Sequence, residues 1–144
     1  MNGNSEIDGQ LKCPFRATLI TRSFSCPHAS EITRRDGPDI GCNSATTNKI
    51  CSECLSSLKK SALPELGFID DLTVMPASAM QKIQYGGLLA LQAIVLQKES
   101  GDTVDNIASL MEAALEKYHS IENLPVNECL DTIVNYKLKR RGGR

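Results

Sequence analysis

The chain has 144 residues, of which 41% are hydrophobic and 23% charged, and its net charge is −1 at neutral pH. These values are typical of one folded domain, or of one domain with an appended module. They exclude a global electrostatic attraction to nucleic acid or to membranes. The first ten residues lack the apolar stretch of a secretory signal, and the apolar run Leu88 to Leu96 is too short to span a bilayer. We therefore expect a soluble cytoplasmic protein.

The first part of the chain is predicted to hold a cysteine-rich module behind a polar leader. Residues 1 to 10 are polar and contain two glycines, which predicts a disordered leader. Residues 11 to 63 contain five of the six cysteines and few large apolar side chains. A bound metal would compensate for such a small core, so we predict a metal-binding module there.

Local patterns predict the elements of this module. Pro14 to Phe24 is predicted as a short helix, with proline in its first turn. Thr33 to Gly41 contains Asp-Gly and Gly-Pro and is predicted as a loop, and Asn43 to Asn48 as a loop or the approach to a helix. A helix is predicted from Cys51 to Leu63, because Pro64 disfavours helical geometry in the residue before it.

Residues 64 to 138 are predicted to form a helical bundle. Apolar residues recur with helical spacing in three segments, which are Ala77–Glu99, Thr103–His119 and Val126–Leu138. In the first of these, Gly86-Gly87 indicates either close helix packing or a bend. Asp102 or Thr103 is expected to cap the second. No sustained alternation of period two occurs, so the fold is predicted to be mainly α, with three to four helices and little strand.

Two segments, an apolar connector and a basic tail, are relevant to the kind of partner that this protein binds. The connector Pro64 to Pro76 is unusually apolar, and we expect part of it, from Leu66 to Met75, to contact another protein. Residues 139 to 144 form a basic tail. Further cations lie beside the cysteines, at Arg16, Arg22, Arg34 and Arg35. Contact of these arginines with nucleic acid is the less favoured alternative, given the near-neutral net charge.

The cysteine cluster is the main functional signal. Clustered thiols in a reduced protein usually bind a metal, and the candidate ligands are Cys13, Cys26, Cys42, Cys51 and Cys54. Four of these five would suffice. The irregular spacing, with one C-x-x-C pair, favours an iron–sulfur cluster over zinc, and a [4Fe–4S] over a [2Fe–2S] cluster. His28 is an additional candidate, since imidazole binds zinc and some [2Fe–2S] centres.

The C-x-x-C pair is expected to be the centre of the metal site. Cys51 and Cys54 would lie at the amino end of the predicted helix, where the helix dipole lowers thiol pKa values. Loss of either is therefore predicted to remove the metal. Cys129 lies in the apolar stripe of the last helix and is predicted to be a buried thiol that binds no metal.

No enzyme signature is found. A Cys-His nucleophile cannot be singled out among the clustered thiols, and a Gly-rich phosphate loop is absent from the sequence. The sequence favours a small iron–sulfur protein with a redox role, in electron transfer, in sensing, or as an accessory to a larger metalloenzyme. The alternative is a zinc-stapled adaptor or regulator that binds a protein or nucleic-acid partner.

Overall fold

The computed structural model describes residues 6–7, 10–35, 37–67, 77–97, 101 and 103–137. Within these residues the fold is mainly helical, as predicted, with a small sheet of four strands. The strands are β1 (Glu6–Ile7), β2 (Gln10–Lys12), β3 (Ala29–Arg34) and β4 (Gly37–Cys42). The helices are α1 (Arg16–Ile20), α2 (Ala45–Glu65), α3 (Ala77–Leu96), α4 (Ile107–Tyr118) and α5 (Leu130–Asn135). Residues 68 to 76 of the predicted connector and the basic tail lie outside the described residues.

The sheet occupies a segment for which the sequence predicted a loop. Its strand order is β1-β2-β4-β3, and each neighbouring pair is antiparallel. The prediction of a loop over Thr33 to Gly41 was wrong, because these residues form most of the β3–β4 hairpin. Gly37 enters β4 at a φ of 124°, which glycine adopts readily, and Pro38 lies where β4 extends beyond β2. The turn-forming residues therefore shape the hairpin without interrupting it.

The beginning of the sheet lies inside the predicted leader. Glu6 pairs with Leu11 and Ile7 pairs with Gln10 across β1 and β2. Strand pairing thus starts before residue 11, where the sequence placed the first ordered segment.

Helix α2 begins earlier than predicted. Its N-cap is Ser44, whose hydroxyl accepts a hydrogen bond from the backbone N–H of Thr47 at 3.1 Å. The predicted start at Cys51 was wrong, because the Ser/Thr/Asn-rich residues before it form the cap and the first turns of the helix. Pro64 lies inside the last turn, and the helix ends at Glu65.

Helix α3 lies at the centre of the fold. Every residue from Ile83 to Leu91 is buried. Gly86 and Gly87 are helical, and each is in close contact with a neighbouring element. Of the two roles expected for this pair, the structure shows close packing.

The last two helices are shorter than predicted. Helix α4 starts at Ile107, and its N-cap is Asn106, whose side-chain oxygen accepts from the N–H of Ser109 at 2.8 Å. The expectation that Thr103 caps this helix was wrong, and Asp102 lies outside the described residues. The predicted helix after Pro125 starts as a 3-10 turn, Val126–Cys129, and continues as α5.

Both halves of the chain share one hydrophobic core. Phe15 and Phe24 belong to the same buried cluster as side chains of α3 and α4. The N–H of Ser25 donates to the carbonyl of Val104, and the N–H of Ile107 donates back to the carbonyl of Ser25, each at 3.0 Å. The cysteine-bearing segments are therefore fixed against the helices. Among the described helices, none combines the length and apolarity needed to cross a membrane.

We predict that Gly86→Ala destabilises the protein more than Gly87→Ala. A Cβ at Gly86 would lie 2.8 Å from the Cα of Ile133, whereas one at Gly87 would meet the movable Cδ1 of Leu58 at 2.8 Å. Overpacking costs roughly 1–3 kcal/mol, against a gain of about 1 kcal/mol in helix propensity. Urea unfolding should show a net loss of up to about 2 kcal/mol for Gly86→Ala and a smaller change for Gly87→Ala. Equal effects of the two substitutions would contradict the close approach of α5.

Candidate metal centre

The sheet register places Cys13 and Cys42 on the same face. Leu11 pairs with Cys42 across β2 and β4, and the N–H of Cys13 donates to the carbonyl of Ile40 at 3.0 Å. Because side chains alternate along a strand, Cys13 lies two residues beyond Leu11 on the face that Cys42 occupies. Diagonal neighbours of this kind are roughly 7–8 Å apart.

Cys26 reaches the same end of the sheet through the turn before β3. The N–H of Ala29 donates to the carbonyl of Cys26 at 3.1 Å, and Ala29 pairs with Cys42 across β3 and β4. The N–H of Asn43 donates to the carbonyl of His28 at 2.8 Å, which fixes this turn to the end of β4. Cys26 is half-buried and packs against the hydrophobic core.

Cys51 is brought to this group by the start of α2. The side-chain amide of Asn48 donates to the carbonyl of Lys12 at 2.8 Å, so the first turns of the helix lie against the end of β2. Cys51 is one turn further along and on the same helix face, because residues three apart are neighbours on a helix surface. It is therefore directed toward the region of Cys13, and it is buried.

The electrostatics of Cys51 show which thiols surround it. Burial raises the pKa of Cys51 above its ordinary value, and four neighbouring thiols raise this pKa further, namely Cys13, Cys54, Cys26 and Cys42. The pKa of Cys13 is raised to about 12, mainly by burial, with smaller contributions from Cys42 and Cys26 and a lowering effect of a backbone hydrogen bond at Phe15. Cys13, Cys26, Cys42 and Cys51 thus form one group of interacting thiols, which we call the thiol tetrad.

The expected effect of the helix dipole on the C-x-x-C pair was wrong. Cys51 and Cys54 lie in the interior of α2, so their N–H groups are part of the helix and the positive end of the dipole lies at Ser44. Burial instead raises the pKa of both thiols, that of Cys54 to about 12. In the metal-free protein, these two thiols are therefore protonated at neutral pH.

Cys54 belongs to a different environment from the tetrad. It has no exposed surface, and after burial the next cause of its raised pKa is Cys129. Cys129 is also fully buried, as predicted, and its thiol donates to the carbonyl of Pro125 at 3.7 Å. Cys54 contributes to the raised pKa of Cys51 and is not among the causes of the raised pKa of Cys13. Cys54 therefore lies between the tetrad and the helical core.

The described residues do not form a metal-binding group. All six cysteines are free thiols. Among the residues that the structure describes, no group of three or more Cys, His, Asp or Glu side chains is arranged to hold a metal ion. His28 is half-buried in the turn after Cys26 and adds no such group. The predicted ligand set stays a prediction.

Two of the four arginines beside the cysteines are paired with carboxylates. Arg16 forms an ion pair with the buried Asp39, and its guanidinium also donates to the carbonyl of Pro38 at 3.3 Å. Arg22 pairs with Glu31 at 2.9 Å on the surface. This basic region is therefore partly neutralised.

Sequence reasoning missed Asn48, which connects α2 to β2. It lies in a Ser/Thr/Asn-rich stretch that resembles a loop. The signal that could have found it is Ser44, because serine is a preferred N-cap residue, and a helix that starts there contains Asn48.

The chain was compared with models of protein families, with curated proteins and with solved structures. None of the three comparisons found a match. The case for a function therefore rests on the residues of the chain and their geometry.

We predict that Cys129→Ala reduces the loss of stability at alkaline pH. Burial raises the pKa of Cys129 from 9.0 to about 12, so between these values the unfolded state releases a proton that the folded state keeps. Stability from this group is present below pH 9 and is lost as the pH rises. Between pH 8 and pH 10 the reduced, metal-free protein should lose about 1.4 kcal/mol more than the variant in urea unfolding. Parallel stability curves would contradict the burial of this thiol.

Proposed function

We propose that this chain is a small iron–sulfur protein in which Cys13, Cys26, Cys42 and Cys51 hold a [4Fe–4S] cluster. The observation that carries the proposal is the convergence of these four thiols from the ends of two strands, a turn and a helix. Thiolates at four corners are the usual ligands of such a cluster, and the irregular spacing of these cysteines along the chain is acceptable to it.

The spacing of the cysteines along the chain favours a cluster over a zinc ion. Structural zinc sites usually combine closely spaced pairs of ligands, as in a C-x-x-C knuckle. The four tetrad cysteines come from separate segments, and only one of them belongs to the C-x-x-C pair. Iron–sulfur clusters take thiolates at several corners and accept such irregular spacing.

The burial of the tetrad is suited to a redox role. Cys42 and Cys51 are buried, whereas Cys13 and Cys26 are half-buried and lie closer to the surface. A cluster held by these four thiols would be enclosed on the side of the core and close to solvent on the other. Electrons could then pass between the cluster and a protein partner without any opening of the fold, in electron transfer, in sensing or in an accessory role to a larger metalloenzyme.

The raised thiol pKa values determine how the cluster would be loaded. The thiols must lose their protons to act as ligands, so cluster binding releases protons and becomes tighter as the pH rises. Once bound, the iron ions supply the positive charge that compensates for the buried thiolates.

Metal analysis of protein purified without oxygen tests the proposal. We expect a brown protein with charge-transfer absorption in the visible range, and iron and acid-labile sulfide in equal amounts. Stoichiometric zinc with no sulfide would overturn the proposal in favour of the zinc-stapled adaptor. A protein that takes up neither metal would overturn both.

The two cysteines of the C-x-x-C pair are predicted to differ in whether cluster binding depends on them. Cys51→Ser should lose the cluster, because Cys51 neighbours every other member of the tetrad. Cys54→Ser should keep it, because that thiol is directed toward Cys129, and Cys129→Ser provides a second control. Iron and sulfide content per chain is the measurement.

The result that would contradict this assignment is full cluster content in Cys51→Ser. Loss of the cluster in Cys54→Ser with circular dichroism unchanged would place Cys54 among the ligands. It would restore the expectation from sequence that both cysteines of the pair are required.

A further inference from the structure

A cavity of about 420 Å³ lies beside Cys13, between the end of β2, α1 and the starts of α2 and α3. Its volume falls within the range of small-molecule sites, roughly 300–1,000 Å³. Its polar wall is formed by Lys12, Arg16, Ser52, Gln81 and Gln84. The apolar wall includes Pro14, Ala17 and Met80. Such a cavity has room for a ligand with both a polar and an apolar part.

Gln84 provides a hydrogen-bond donor that lines this cavity. The residue is only 5% exposed, and its Oε1 accepts a hydrogen bond from the backbone N–H of Ala17 at 2.9 Å. A backbone N–H can only donate, so this bond fixes which end of the amide is oxygen. The NH₂ group then has no hydrogen-bond partner among the described residues, and the side chain lines the cavity. No fully buried side-chain N or O atom of the described residues lacks a partner, so this NH₂ group is accessible from the cavity and can donate to a ligand there.

The charge at the cavity favours an acceptor that is an anion. The ammonium group of Lys12 has no ion-pair partner among the described residues, and the residue is exposed at the rim. Arg16 is neutralised by Asp39. The described lining residues include no Asp or Glu. One positive charge at the rim and an amide donor at the buried end are therefore both available to one ligand.

We propose that this cavity binds a small organic anion, with its carboxylate or phosphate group received by Gln84 and Lys12. The apolar body of the ligand packs against Ala17 and Met80. The site does not depend on the proposed cluster, because Gln84 and Lys12 are not members of the tetrad. Cys13 lines the cavity and belongs to the tetrad, so a bound anion would lie next to the metal centre.

Titration calorimetry on the full chain tests this site with three probes that each contain six carbon atoms. Hexanoate carries a carboxylate, hexyl phosphate carries a phosphate, and hexan-1-ol is neutral. We expect at least one anion to bind about tenfold more tightly than the alcohol, as charge-assisted hydrogen bonds allow. The two anions distinguish a carboxylate ligand from a phosphate ligand. Equal binding of the alcohol, or no binding of either anion at millimolar concentration, would overturn the proposal.

Two substitutions test whether the anions bind in this cavity. Gln84→Glu keeps an oxygen that can accept from Ala17 and removes the NH₂ donor, so anion affinity should fall about tenfold or more. Lys12→Gln should weaken binding about fivefold, because it removes an exposed charge and leaves the backbone carbonyl that Asn48 uses.

Lys60→Gln is the charge-matched control, since Lys60 is exposed on α2 and lines a separate cavity. Its affinity for the anions should equal that of the parent chain. Unchanged affinity in the Lys12→Gln variant would overturn the assignment even if Gln84→Glu failed to fold. A loss in Lys60→Gln as large as that in Lys12→Gln would overturn it as well, because binding would then follow net charge and not this cavity.

Discussion

The close packing around one turn of α3 is the constraint on which the rest of this structure depends. Gln84 and Tyr85 both form hydrogen bonds to α1, through its backbone N–H and carbonyl groups. Gly86 allows α5 to approach the helix backbone, and Gly87 accommodates a leucine of α2. Successive helical residues are directed about 100° apart, so four consecutive residues contact elements on different sides of the helix. A side chain in place of either glycine would separate the elements that this turn joins.

This turn also determines how firmly the cysteines are held. Helix α1 follows directly after Cys13, and α3 fixes its position through Gln84 and Tyr85. Helix α2 carries Cys51, and it is held by the packing of Leu58 on α3 and by the bond from Asn48 to β2. The tetrad is thus supported by the helices, although three of its four cysteines lie at strand ends or in a turn. A site that is supported in this way is preorganised, because its side chains do not depend on flexible loops.

Packing gives the two cysteines of the C-x-x-C pair different surroundings. In a loop, two such thiols can turn toward one ion, as in a zinc knuckle. In α2 they are one turn apart, and the neighbours of Cys51 include the other members of the tetrad, whereas Cys54 is enclosed with Cys129. The same spacing in sequence therefore has a different chemical meaning inside a helix. Burial in the core also makes these thiols weaker acids, which is opposite to the effect expected at a helix start.

The sequence by itself determined the elements whose signals are local. The apolar stripes predicted α3 and α4, and the position of Cys129 in such a stripe predicted its burial. These patterns are reliable because a helix face that packs against a hydrophobic core must be apolar, whichever element it packs against. The sequence also showed that the cysteines are concentrated in the first part of the chain and that this part has few large apolar side chains.

Only the tertiary structure decided which of these residues meet. The β3–β4 hairpin was hidden by turn-forming residues, and its register with β2 is what brings Cys13 and Cys42 to one face. Gln84 appeared in the sequence as an ordinary polar residue of a helix, and packing against α1 fixes its oxygen on the N–H of Ala17 and leaves its NH₂ group for the cavity. Pairing between strands and packing between helices join residues that are distant in the chain, and no local pattern encodes those contacts.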